Sequence, residues 1–133
     1  MARVLIPLPA RDFDPSEAAV SWQVLSNAGH TISFATPEGQ PAAADDMMLT
    51  GEGLDLWGTL PLLRKLPLIG LLMRANRDAR NAYAAMIADP SYSKPLRWDS
   101  VDPLSFDALM LPGGHRARGM RDYLESAPRR RVL

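Results

Sequence analysis

Four residues have the types and spacing to do chemistry: Glu17, early in the chain, and Gly113, Gly114 and His115 in the run Pro112-Gly113-Gly114-His115. That run follows an apolar stretch, Ala108–Leu111, and leads into a polar, helix-compatible segment. A strand, a glycine turn and a helix in that order place backbone N–H groups at the carboxyl end of the strand, where open α/β sheets hold ligands. Such groups can form an anion nest or an oxyanion hole, and glycine permits positive φ and close approach of a substrate. A plain tight turn between strand and helix fits the spacing equally well. Glu17 falls at the start of a helix, where a carboxylate gains from the helix dipole. It is either a capping residue in solvent or a carboxylate facing the glycine turn across a crevice. The second role requires the strands that precede the two sites to be neighbours.

Other chemistries lack their residues. There is no cysteine, which removes a disulfide scaffold, a thiolate metal site and a cysteine nucleophile from this chain. No G-x-S-x-G elbow offers a serine nucleophile. Gly114 and Gly119 have the spacing of P-loop glycines, but Met120-Arg121 stand where Lys-Ser/Thr is required. The first strand runs into "IPLPARDF", with no dinucleotide-binding fingerprint. The two histidines, His30 and His115, have no metal-ligand spacing. Asp45-Asp46 is expected to be a solvated loop pair rather than a magnesium site. No cofactor and no metal are expected.

The elements that must position Glu17 and the glycine turn can be read from periodicity. "RVLIP" (3–7) is a short apolar run stopped by prolines, as in a buried parallel strand. A helix follows, capped by Asp14 or Ser16, with Pro15 in its first turn and a stop at Asn27-Ala28-Gly29. "HTISFAT" (30–36) alternates and is rich in β-branched and aromatic residues, which predicts a second strand parallel to the first. "AAADDMMLTGEG" reads as loop. Residues 74–88 carry Ala75, Ala79, Ala82, Tyr83, Met86 and Ile87 on one stripe, the clearest amphipathic helix in the chain. "DPSYSKPLRWDSVDPLS" reads as irregular. "DALML" then forms a buried strand and a helix runs from about Ala117 to Ser126. The expected order is β-α-β, a helical insert over about 51–98 that acts as a lid, then β-turn-α, within one domain of 133 residues.

Composition bounds the class. Apolar residues make up 47% of the chain, enough for a packed core. Fifteen basic residues balance fifteen acidic ones, so net charge argues for neither nucleic acid nor a membrane surface. Leu60–Met73 is the most apolar stretch. It is shorter than the ~20 residues of a spanning helix and is interrupted by Arg64, Lys65 and Pro67. A soluble, cytoplasmic protein is expected. Arg129–Arg131 are read as a solvated end.

In combination and order these segments resemble the ThiJ/PfpI superfamily, relatives of the class I glutamine amidotransferases, over roughly residues 2–126. The resemblance is carried by "RVLIPLPARDFDPSEAAVSWQVLSNAGHTISFATPEGQPAAADDMML" and by "FDALMLPGGH". It implies an α/β fold, a flavodoxin/Rossmann-like doubly wound parallel sheet. The insert resembles the larger branch of the family, which includes intracellular proteases, glyoxalase or deglycase-like enzymes and holding chaperones. Glu17 then matches the acidic residue that hydrogen-bonds the nucleophilic thiolate and acts as general acid/base. Gly113 and Gly114 match the oxyanion-hole turn, and His115 the residue lining the pocket beside it. The family's nucleophile is a cysteine on a later strand–helix elbow, usually followed by a histidine, and neither is present. The resemblance therefore predicts a C-terminally incomplete, catalytically inactive version with an unpaired apolar edge on "DALML" or "RVLIP". A small carbonyl or amide compound is the implied substrate. A second copy of the chain, or an unfolded-protein client held by Leu60–Met73, is the alternative partner.

Overall fold

The computed structural model describes residues 1–51, 75–114 and 117–125. The most apolar stretch, Leu60–Met73, the residue His115 and the Arg129–Arg131 tail lie outside them. No helix among the described residues is long and apolar enough to cross a membrane.

The chain is organised around β1 (Arg3–Pro7), whose residues Val4 to Pro7 are all buried. A strand buried on both faces needs a covered parallel sheet. β1 pairs in parallel with β3 (Thr31–Thr36) on one side and with β6 (Ala108–Leu109) on the other, and β5 (Leu96–Arg97) adds to β3, giving the order β5-β3-β1-β6. β2 (Arg11–Phe13) and β4 (Ala43–Ala44) form a separate parallel pair. The expected β-α-β unit is therefore present, with α1 (Pro15–Asn27) as its crossover. Gly29, at φ +79°, takes the left-handed conformation just beyond that helix.

Alternation along β1 sorts the core onto two faces. Val4 and Ile6 pack with Ala18, Ala19 and Trp22 of α1 and with Ala82 and Met86 of α3 (Arg77–Ala88). Leu5 and Ala35 pack on the opposite face with Trp98 and with Tyr123 of α5 (Ala117–Glu125). Two buried polar groups clamp this second layer to backbone. Trp98 Nε1–H donates to the Ala35 carbonyl at 3.1 Å, and the Tyr123 hydroxyl donates to the Pro7 carbonyl at 3.0 Å. Helices on both faces of a parallel sheet make this an α/β fold.

Four expectations are corrected. The stretch expected to be loop after Ala42 holds β4 and a one-turn helix, α2 (Asp46–Thr50). Asp45 is not solvated: it is 1% exposed and caps α2, its Oδ1 accepting the Met47 N–H at 3.0 Å. The segment expected to be irregular contains α4 (Pro90–Ser93) and β5, so residues within 51–98 contribute a sheet strand as well as helix. β6 is only two residues long and exposed, not buried. Among the described residues it has β1 on one side and no strand on the other, which leaves Leu109 and Leu111 36% and 44% exposed. A residue at the end of a sheet has only one side to bury, so apolar composition alone does not place it inside.

Candidate functional site

Pairing between β1 and β6 decides where the glycine turn lies. The Asp107 N–H donates to the Arg3 carbonyl at 2.8 Å and the Met110 N–H donates to the Leu5 carbonyl at 2.9 Å. This register carries Pro112-Gly113 beyond the carboxyl end of β1, beside the start of α1. The neighbour relation that the Glu17 reading required is thus met.

The α1 N-terminus is built by its sequence. Asp14 is the N-cap, in extended conformation (φ −72°, ψ 117°), and Pro15 follows with φ already suited to a first turn. The Asp14 Oδ1 accepts the N–H groups of Ser16 at 2.7 Å and Glu17 at 3.0 Å. Those two donors have no intrahelical partner at a helix start. Glu17 comes three residues after the cap. At that spacing a glutamate commonly reaches back to the cap residue's own N–H, closing a capping box. Here both halves of that contact go to Gly113. The Asp14 N–H donates to the Gly113 carbonyl at 2.8 Å. The Gly113 N–H donates to Glu17 Oε2 at 2.5 Å, a short, charge-assisted hydrogen bond.

Gly113 is half-buried and Glu17 is exposed. At Gly113 the missing side chain leaves room for the Glu17 carboxylate to sit against the backbone. A Cβ on Gly113 would lie 2.9 Å from Glu17 Oε2, closer than carbon and oxygen tolerate. The described glycines with positive φ are Gly29, Gly39 and Gly51. Of the two properties that glycine offers at this turn, positive φ is not used by Gly113 and close approach is, here to the Glu17 carboxylate. Gly114, also half-buried, continues the turn. β2 stands nearby, with the buried Asp12 at φ +67° and the Arg11 carbonyl against Gly119 of α5.

The structure thus brings Glu17 and Gly113 into contact across 96 positions of sequence. It also adds Asp14, which sequence reasoning treated only as a cap. The signal was available in the spacing Asp14-Pro15-Ser16-Glu17, but not the fact that a glycine from the far end of the chain enters it. Among the described residues no group of three or more His, Asp and Glu could hold a metal ion. His30 is placed away from the turn, its Nδ1 accepting the Ala2 N–H at 3.1 Å. What the arrangement offers chemically is one backbone donor already aimed at a carboxylate, with a second carboxylate, Asp14, holding the helix that carries it.

A ThiJ/PfpI family-like model matches residues 8–133. A solved DJ-1 superfamily protein from Agrobacterium tumefaciens is similar at 23% identity and a TM-score of 0.46. The match covers 86% of this chain and 38% of that one, so the chain spans well under half of that protein's length. No curated protein matches the chain.

Proposed function

The chain belongs to the ThiJ/PfpI-like family, and from that premise we propose that Glu17, Gly113 and Gly114 form a recognition site for a small carbonyl or amide compound. The site works without covalent turnover in this chain. The Gly113 N–H is the donor to the substrate oxygen and Gly114 shapes the turn. Glu17 is the acid/base that exchanges a proton with the bound group. A carbonyl oxygen entering the turn accepts from the Gly113 N–H in place of Glu17 Oε2. The released carboxylate then accepts from an N–H or O–H of the same ligand. Both partners keep a hydrogen bond throughout, which limits the cost of the exchange. A nucleophilic thiolate would be needed to go further to a thioester or hemithioacetal, and the chain has no cysteine.

The observation that carries this reading is the 2.5 Å contact between the Gly113 N–H and Glu17. Titrating the chain with a small 2-oxoaldehyde and with a primary amide, while following backbone amides by NMR, tests it. Saturable shifts at Gly113 and at the first turn of α1 are expected, with no turnover above buffer. Absence of any shift at Gly113 would remove the binding role. Turnover that disappears in Glu17→Gln would overturn the view that the missing thiolate leaves the site inactive.

A further inference from the structure

We infer that Asp14 is a positioning residue for this site, holding the Glu17 carboxylate on the Gly113 N–H through a capping box into which Gly113 has been inserted. The inference rests on the reading of Glu17 and Gly113 as the site. Three hydrogen bonds make a closed ring through Asp14, Gly113 and Glu17, and a fourth, from Ser16, braces it. The Glu17 N–H and the Ser16 N–H donate to Asp14 Oδ1 at 3.0 and 2.7 Å. The Asp14 N–H donates to the Gly113 carbonyl at 2.8 Å. The Gly113 N–H donates to Glu17 Oε2 at 2.5 Å. Asp14 therefore touches both partners of the contact without being part of it.

Geometry shows why the ring is stiff. Asp14 is 4% exposed, so its carboxylate has little freedom to leave the helix start for water. Its Oδ1 fixes the first turn of α1, which fixes the direction in which the Glu17 side chain departs. Its N–H, working through its own backbone, fixes the height of the Gly113 peptide. Because the Gly113 N–H donates to Glu17 and its C=O accepts from the Asp14 N–H, the peptides flanking Gly113 cannot turn without breaking one of these bonds. Glu17 is exposed, so packing does not hold it. An exposed glutamate carries several rotamers and considerable entropy, and its placement must come from the ring.

An ordinary cap and a positioning residue are separated by a readout at Gly113 rather than by stability alone. The experiment follows the Gly113 amide proton, by chemical shift and by hydrogen exchange, in the whole chain and in three variants. Glu17→Gln defines the shift that reports loss of the charged acceptor. Asp14→Asn keeps an oxygen acceptor at the cap and is expected to keep the wild-type Gly113 signal. Asp14→Gly removes the side chain while leaving a residue that helix starts tolerate well, so folding is retained. It is expected to move the Gly113 amide upfield towards its position in Glu17→Gln and to speed its exchange about tenfold or more, the weight of a hydrogen bond to a charged group. A wild-type Gly113 signal in Asp14→Gly, with Glu17→Gln shifted, overturns the positioning role and leaves the site intact. An unshifted Gly113 in Glu17→Gln shows that the two residues do not meet, and overturns the site reading itself.

Discussion

At the scale of single residues, the site is set by space and by one charge. Gly113→Ala puts a methyl where Glu17 Oε2 now lies, 2.9 Å from the added carbon. The carboxylate must move, and the short bond is lost. In a Glu17→Ala background the same methyl meets nothing charged. A double-mutant cycle by urea unfolding is therefore expected to give a coupling of about 0.5–3 kcal/mol between the two positions, the range for residues in direct contact. Additive effects would show that the carboxylate is not held at the turn. Asp14→Ala removes acceptors from two first-turn N–H groups, and loss of such a cap costs about 1 kcal/mol. Urea unfolding should show that loss, and Asp14→Asn should recover most of it.

At the scale of elements, the sheet is tied down by polar groups that reach backbone. The Tyr123 hydroxyl, on a residue 1% exposed, satisfies the Pro7 carbonyl. Tyr123→Phe leaves a buried carbonyl short of a donor, and a loss of about 1–3 kcal/mol is expected in urea unfolding. The start of β6 is held differently. Asp107 accepts the Arg3 N–H at 2.7 Å and pairs with the Arg3 guanidinium at 3.2 Å, both at the surface. The hydrogen bond from Arg3, helped by its charge, holds the Asp107 carboxyl below the ordinary aspartate value. Asp99 is held down in the same sense by Arg97. A carboxyl whose folded value is depressed stabilises the fold fully above its unfolded value of about 3.9. That contribution declines as pH falls below it and is gone once pH has passed the folded value. Acid unfolding of Asp107→Asn should therefore show a shallower fall in stability below about pH 4 than wild type, with the difference reduced by added salt. An identical acid limb would rule out the Arg3–Asp107 tie as a contributor. These elements were legible in the sequence to different degrees. β1, α1 and β3 could be read because apolar period, cap and glycine stop agreed over 34 residues, from Arg3 to Thr36. β4, α2, α4 and β5 run for two to five residues each. At that length there is no period to detect, and pairing with a distant strand decides the conformation. Glu17 and Gly113 were legible as candidates from local spacing. Their contact was not, because no local pattern encodes which turn a helix start will meet.

At the scale of the whole molecule, the sheet formed by the described residues has four strands and ends in β6. Among the described residues Leu104, Leu109 and Leu111 sit 89%, 36% and 44% exposed on or beside that strand. An apolar edge with free backbone groups is a template for pairing with another strand. Leu109→Lys should lower concentration-dependent association, measured by light scattering, with little change in urea midpoint, because the side chain already faces water. Unaltered scattering would show that the edge is not the surface involved. The pairing of β1 with β6 has another consequence, which concerns time. Asp14 and Glu17 leave the ribosome about 100 residues ahead of Gly113, some 5–20 s at ordinary synthesis rates. For that interval α1 carries its cap and its glutamate with no turn to receive them. Contacts so distant in sequence are among the last a chain can afford to close. The Glu17–Gly113 contact is therefore expected to close late in folding, and a signal from the Gly113 amide in its short hydrogen bond would double as a clock that marks its completion.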